Sequence, residues 1–173
     1  MASTITSSHN STNEHNTLSG TNMAIKPKTT ITGSVKGDCP SHSIAKCSVR
    51  DVSMVIDEPV ERGGTNEGLT PTEVAVAALI GCTNVISHKC ADKLGIDLGH
   101  LNIEAKYDLD RRGVLLSEEI DVPFPKIVLN IESDGAASEA ELQQVATELA
   151  KYCAVSKVFR ASGTEIIENW SKV

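Results

Sequence analysis

The stretch Gly68–His88, GLTPTEVAVAALIGCTNVISH, decides the fold of this chain. It opens with Thr70-Pro71-Thr72-Glu73. Thr70 offers an N-cap hydroxyl, Pro71 sits where a missing N–H costs nothing, and Glu73 can reach back to the cap amide. The spacing predicts a helix from Pro71 to about Leu94, stopped by Gly95 in the left-handed conformation. Its first half, Val74–Cys82, is apolar on every side. A helix without a polar stripe has to be covered all round. One small sheet covers one face, so the rest calls for other cover, and a second subunit is the expected one.

Upstream the pattern is that of strands. ITGSVK (31–36) and SIAKCSV (43–49) alternate as half-buried strands around the turn GDCPS, and VSMVI (52–56) makes a third. The segment 63–68, GGTNEG, lacks the Lys-Ser/Thr ending of a phosphate-binding loop and opens onto Leu-Thr-Pro, which argues against a phosphate cradle. Downstream, LNIEAKYDLD (101–110) and PKIVLNIES (125–133) alternate again, separated by a charged loop, RRGVLLSEEIDVPF. A second capping box, Ser138 with Glu141, starts a helix whose stripe is Leu142, Val145, Ala146 and Leu149. AVSKVFRAS (154–162) reads as a short helical turn and TEIIENW (164–170) as a last strand. The order is β-β-β-α-β-β-α-β, an α+β fold without internal repeats.

With 173 residues the chain suits one main domain. Residues 1–24 are mostly Ser, Thr and Asn and read as a disordered polar tail, leaving 25–173 as the folded domain, with Met23 at the start of the globular pattern. His9 and His15 lie in that tail without further ligands, so no metal is expected there. A net charge of −7 and 3% aromatic residues argue against a nucleic-acid partner. No contiguous apolar run approaches the roughly 20 residues of a membrane span, and no secretory signal is visible. The expected location is the cytoplasm. Five cysteines are too few, and odd in number, for a disulfide scaffold.

Cys39 falls in a turn, Cys47 in a strand, Cys82 inside the apolar helix and Cys153 at the end of the second long helix. Buried core packing is a common fate for such residues. Cys90 lies two turns beyond Cys82, a rise of about 12 Å that no disulfide spans. His88-Lys89-Cys90 supplies too few ligands for zinc, so no metal or cofactor is expected.

GLTPTEVAVAALIGCTNVISH followed by KYCAVSKVFRASGTEI (151–166) resembles the OsmC/Ohr family, over about residues 30–170. The resemblance implies an α+β fold with two long central helices wrapped by sheets in an intertwined homodimer. In peroxidase members the first cysteine attacks an organic hydroperoxide and becomes a sulfenic acid, which the second resolves to a disulfide. A dithiol such as dihydrolipoamide then restores the pair. Carried over by motif, Cys82 is the peroxidatic thiol and Cys153 the resolving one. The family's catalytic Glu directly follows the helix-start Pro. Thr72 stands there, and Glu73 comes one residue later, about 100° around the helix. The family's Arg belongs near the first hairpin turn, where KGDCPSHS has none. Arg50, a strand later, is the candidate, ahead of Lys36 and His42. Ala154 replaces the Pro of the resolving segment.

Cys82 lies too deep in its helix for the dipole to ionise it, so thiolate chemistry needs a cation from elsewhere. Arg111-Arg112 beside Asp108 and Asp110 reads as a solvated charge run. Two functions follow. One is a thiol-dependent redox protein reducing organic hydroperoxides through Cys82 and Cys153, with Arg50 and Glu73 as supporting site residues. The other is a non-catalytic dimer holding a small apolar or thiol-containing ligand between its helices.

Overall fold

The computed structural model describes residues 29–173. Val35–Val173 form one compact unit, and residues 29–34 carry no regular element. The polar segment 1–24, Met23 and residues 25–28 lie outside the described residues.

Strands β1 (Lys36–Asp38), β2 (Ala45–Val49) and β3 (Val52–Ile56) form an antiparallel meander. The first strand is displaced from its expected position: only Lys36 of ITGSVK belongs to it, and pairing runs on through Gly37 and Asp38. Register explains the difference. Lys36 lies opposite Ser48, and β2 ends at Val49, so residues 31–34 have no strand to pair with. The chain turns instead at Arg50, whose φ of 53° reverses it into β3.

Helix α1 spans Pro71–Leu94 with both predicted caps. Thr70 N donates to Glu73 Oε2 at 2.8 Å, and Glu73 N donates to Thr70 Oγ1 at 3.3 Å. At the other end Gly95 takes φ 70°, a conformation costly for residues with a Cβ, and Ile96 N reaches the Ala91 carbonyl. An 18-residue window of α1 has mean hydropathy 1.4, enough by length and composition to cross a membrane. Contiguous runs do not register this average, because alanines and branched aliphatics lift it while Asn84 and His88 interrupt the run. The helix instead packs on α3, α4 and β4.

Strand β4 (Leu101–Asp108) pairs antiparallel with β5 (Lys126–Ser133), and β5 pairs parallel with β6 (Glu165–Lys172). The loop between β4 and β5 contains a single turn, α2 (Arg111–Val114), capped by Asp110. Helices α3 (Glu139–Tyr152) and α4 (Ala154–Ala161) follow β5. Because β5 is the central strand, its inward residues Ile127, Leu129 and Ile131 are wholly buried. They meet Leu79, Leu149, Phe159 and Ile166, while Leu98, Leu142 and Val145 fill a second cluster. Three helices thus cover one face of the second sheet.

Two apolar surfaces lie open among the described residues. Ala77, Ala78, Gly81 and Val85 lie exposed along α1. On the first sheet Val35, Val52 and Met54 border an open apolar groove of about 230 Å³.

Candidate active site

Cys82 and Cys153 come together. Cys153 ends α3, its N–H donating to the Leu149 carbonyl at 2.9 Å. The same residue is the N-cap of α4, its carbonyl accepting from Lys157 N at 3.1 Å. Its extended backbone (φ −67°, ψ 106°) breaks what would otherwise be one helix into two. The side chain is wholly buried in the main core cluster, and Cys82, half-buried on α1, packs against the same cluster close enough to act on its ionisation. Burial pushes the Cys153 thiol up to about 11. The Ser156 and Val155 amides pull the other way, and Cys82 adds to the rise.

The other cysteines stay apart. Burial, then Glu148, raises Cys90, which sits in the second core cluster. Cys39 is exposed and Cys47 half-buried in the first sheet. No cluster of His, Cys, Asp and Glu among the described residues could hold a metal.

Glu73 closes the capping box and faces a cleft of about 390 Å³ at the start of α1. Nine residues of helix separate it from Cys82, a rise of about 13 Å, so the two do not meet within one chain. Arg50 is exposed at the β2–β3 turn, on a sheet that is not packed against the core helices. The cleft also shows what the charge run conceals. Arg112 is tied to Asp110 at 2.7 Å and Glu118 at 2.6 Å, whereas Arg111 lines the cleft beside Arg62, Thr72 and Tyr107.

The glycine-rich loop that leads into α1 is organised by a carboxylate that no sequence motif marks. Asp57 is fully buried, and its Oδ2 accepts from Thr65 N (2.9 Å), Thr65 Oγ1 (2.7 Å) and Glu67 N (3.1 Å). Burial works to raise this carboxyl, but these donors outweigh it and hold it well below the usual range. Gly64 is needed for contact rather than for phosphate: a Cβ there would lie 1.8 Å from the Glu58 carbonyl oxygen.

Residues 64–169 match the sequence model of a family described as OsmC-like protein. No curated protein matches the chain. Among solved structures, the OsmC like protein from Mycoplasma pneumoniae superposes with a TM-score of 0.70 at 16% identity, covering 83% of this chain and 98% of that one. An organic hydroperoxide resistance protein from Elizabethkingia anophelis gives 0.63 at 16% identity, covering 84% and 99%. Another from Legionella pneumophila, named OsmC, gives 0.61 at 14%, covering 83% and 99%. Likeness at these identities establishes a shared fold.

Proposed function

The chain belongs to the OsmC-like family, and from that premise we propose that it is a thiol-dependent peroxidase reducing organic hydroperoxides through Cys82 and Cys153. The observation that carries this reading is that Cys82 on α1 and Cys153 at the α3–α4 junction share one core cluster as neighbours. In the first step the Cys82 thiolate attacks the outer peroxide oxygen. An S–O bond forms, the O–O bond breaks, and the alkoxide leaves and takes a proton to become the alcohol. Cys153 then attacks the Cys82 sulfenic sulfur. The S–S bond forms, the S–O bond breaks, and the hydroxyl departs with the Cys153 proton as water. A dithiol reductant returns both residues to thiols and is itself oxidised to a disulfide.

The working unit in this proposal is a homodimer. The open side of α1 and the open groove of the first sheet are the surfaces a second copy covers, and in that dimer Arg50 and Glu73 approach the thiols from the other copy. Five free cysteines fit a reducing compartment such as the cytoplasm. The test is consumption of cumene hydroperoxide by purified protein with dihydrolipoamide, abolished in Cys82→Ser. No turnover by the wild type, together with saturable binding of a small apolar thiol, supports the non-catalytic dimer instead. That alternative draws on Thr72 standing where the family peroxidases carry Glu.

A further inference from the structure

One polar chain leads away from the thiol pair and has no part in the steps above. Ser156, in the first turn of α4, is 3% exposed and lies three residues after Cys153, the N-cap of that helix. Its hydroxyl accepts from Arg160 Nε at 3.3 Å. The other end of that guanidinium donates from Nη2 to the Ile166 carbonyl at 3.2 Å and lies 3.4 Å from Glu168 Oε1. Glu168 shares the helix-facing side of β6 with Ile166 and Trp170, and its side chain is only 11% exposed. Burial pushes its carboxyl up, opposed by Arg160.

A strut that merely tied α4 to β6 would be complete with Ile166 and Glu168. The bond from Nε to Ser156 adds something else, because it fixes the turn that Cys153 begins, where the Cys153 carbonyl accepts from Lys157 N. A guanidinium suits this role because its rigid fork serves two directions at once, which an ammonium does not. We propose that Arg160 is a positioning residue for Cys153, anchored by Glu168 and acting through Ser156 on the first turn of α4. The inference rests on the thiol-pair reading above and adds a residue that resemblance does not assign. Its consequence falls on the resolving step. There the Cys153 sulfur gives up its proton and moves to about 2 Å from Cys82, and the fixed first turn of α4 sets where that sulfur stands.

The test uses the full-length protein and its Ser156→Ala, Arg160→Ala, Arg160→Lys and Ser156→Ala/Arg160→Ala variants. One equivalent of tert-butyl hydroperoxide is added, and formation of the Cys82–Cys153 disulfide is followed by quenched alkylation and mass spectrometry. Each single variant is expected to form it about tenfold more slowly, below the roughly hundredfold that a 1 Å misplacement can cost. Arg160→Lys should not rescue, and the double variant should be no slower than Arg160→Ala, as for residues in one relay. Ser156→Ala leaves the bonds from Arg160 to Ile166 and Glu168 in place, so it separates positioning from folding. A second readout, independent of peroxide, is the ¹³Cβ titration of Cys153 in a Cys82→Ser background, which should move to higher pH when Ser156 or Arg160 is replaced. Unchanged disulfide rates and an unchanged titration in the variants overturn the inference. A wild type that forms no disulfide overturns the functional reading instead, and the titration still decides the role of Arg160.

Discussion

Cys153 ends one helix and begins the next, and its buried side chain shares a core cluster with Cys82 from a third helix. A shared cap is a rigid mount: its backbone is held by the Leu149 carbonyl on one side and by Lys157 N on the other. Rigidity and burial on the Cys153 side leave Cys82, half-buried on α1, as the more accessible sulfur of the two.

Order of reaction follows from that asymmetry. Cys153→Ser should still consume the first equivalent of peroxide and then stall with Cys82 as a sulfenic acid, trapped as a dimedone adduct and seen by mass. Cys82→Ser should give neither adduct nor turnover. An adduct on Cys153 in the wild type would reverse the assignment.

Alkaline stability should depend on the same pair. The folded chain holds the Cys153 proton up to about 11, against an ordinary value of 9.0. Its contribution to stability is therefore complete below pH 9 and is lost as pH rises through about 11. Denaturation midpoints measured between pH 8 and 11 should fall with pH, and Cys153→Ala should flatten that fall.

At the acid end Asp57 is the group to watch. Its folded carboxyl lies well below the ordinary value of 3.8, so its contribution is present above about pH 4 and lost as pH falls below it. Asp57→Asn should lower the thermal midpoint at pH 7 and weaken its acid dependence. The same midpoint in both proteins at pH 7 would remove Asp57 as organiser of the loop.

Glu73 can be separated from its cap. Thr70→Ala should cost about 1 kcal/mol, the usual loss for an N-cap. Glu73→Gln keeps a capping-box side chain and should leave stability within about 0.5 kcal/mol while lowering peroxide turnover. Unchanged turnover would leave Glu73 with its cap alone.

Assembly is testable through the open faces. Sedimentation should show a dimer, and Val85→Asp or Met54→Asp should shift it toward monomer without loss of helix content. These side chains are 50% and 44% exposed in the single chain, so an added charge there disturbs an interface rather than the core.

Local chemistry made much of this architecture legible. Both capping boxes, the Gly95 stop, the alternation of β4 and β5 and the stripe on α3 are patterns within a few residues, and each follows from main-chain hydrogen bonding or from a period of two or 3.6. The cysteine pair was legible through resemblance, since spacing alone leaves two core cysteines.

Contacts that join distant elements were not. That Arg111 turns to a cleft while Arg112 is paired, that Asp57 gathers a loop, and that Ser156, Arg160 and Glu168 form a relay all depend on where α4 lies against β6 and where the loops close over α1. A side chain's charge and length are written in the sequence. Its partner is set by packing between elements far apart along the chain, and only the tertiary structure decides that.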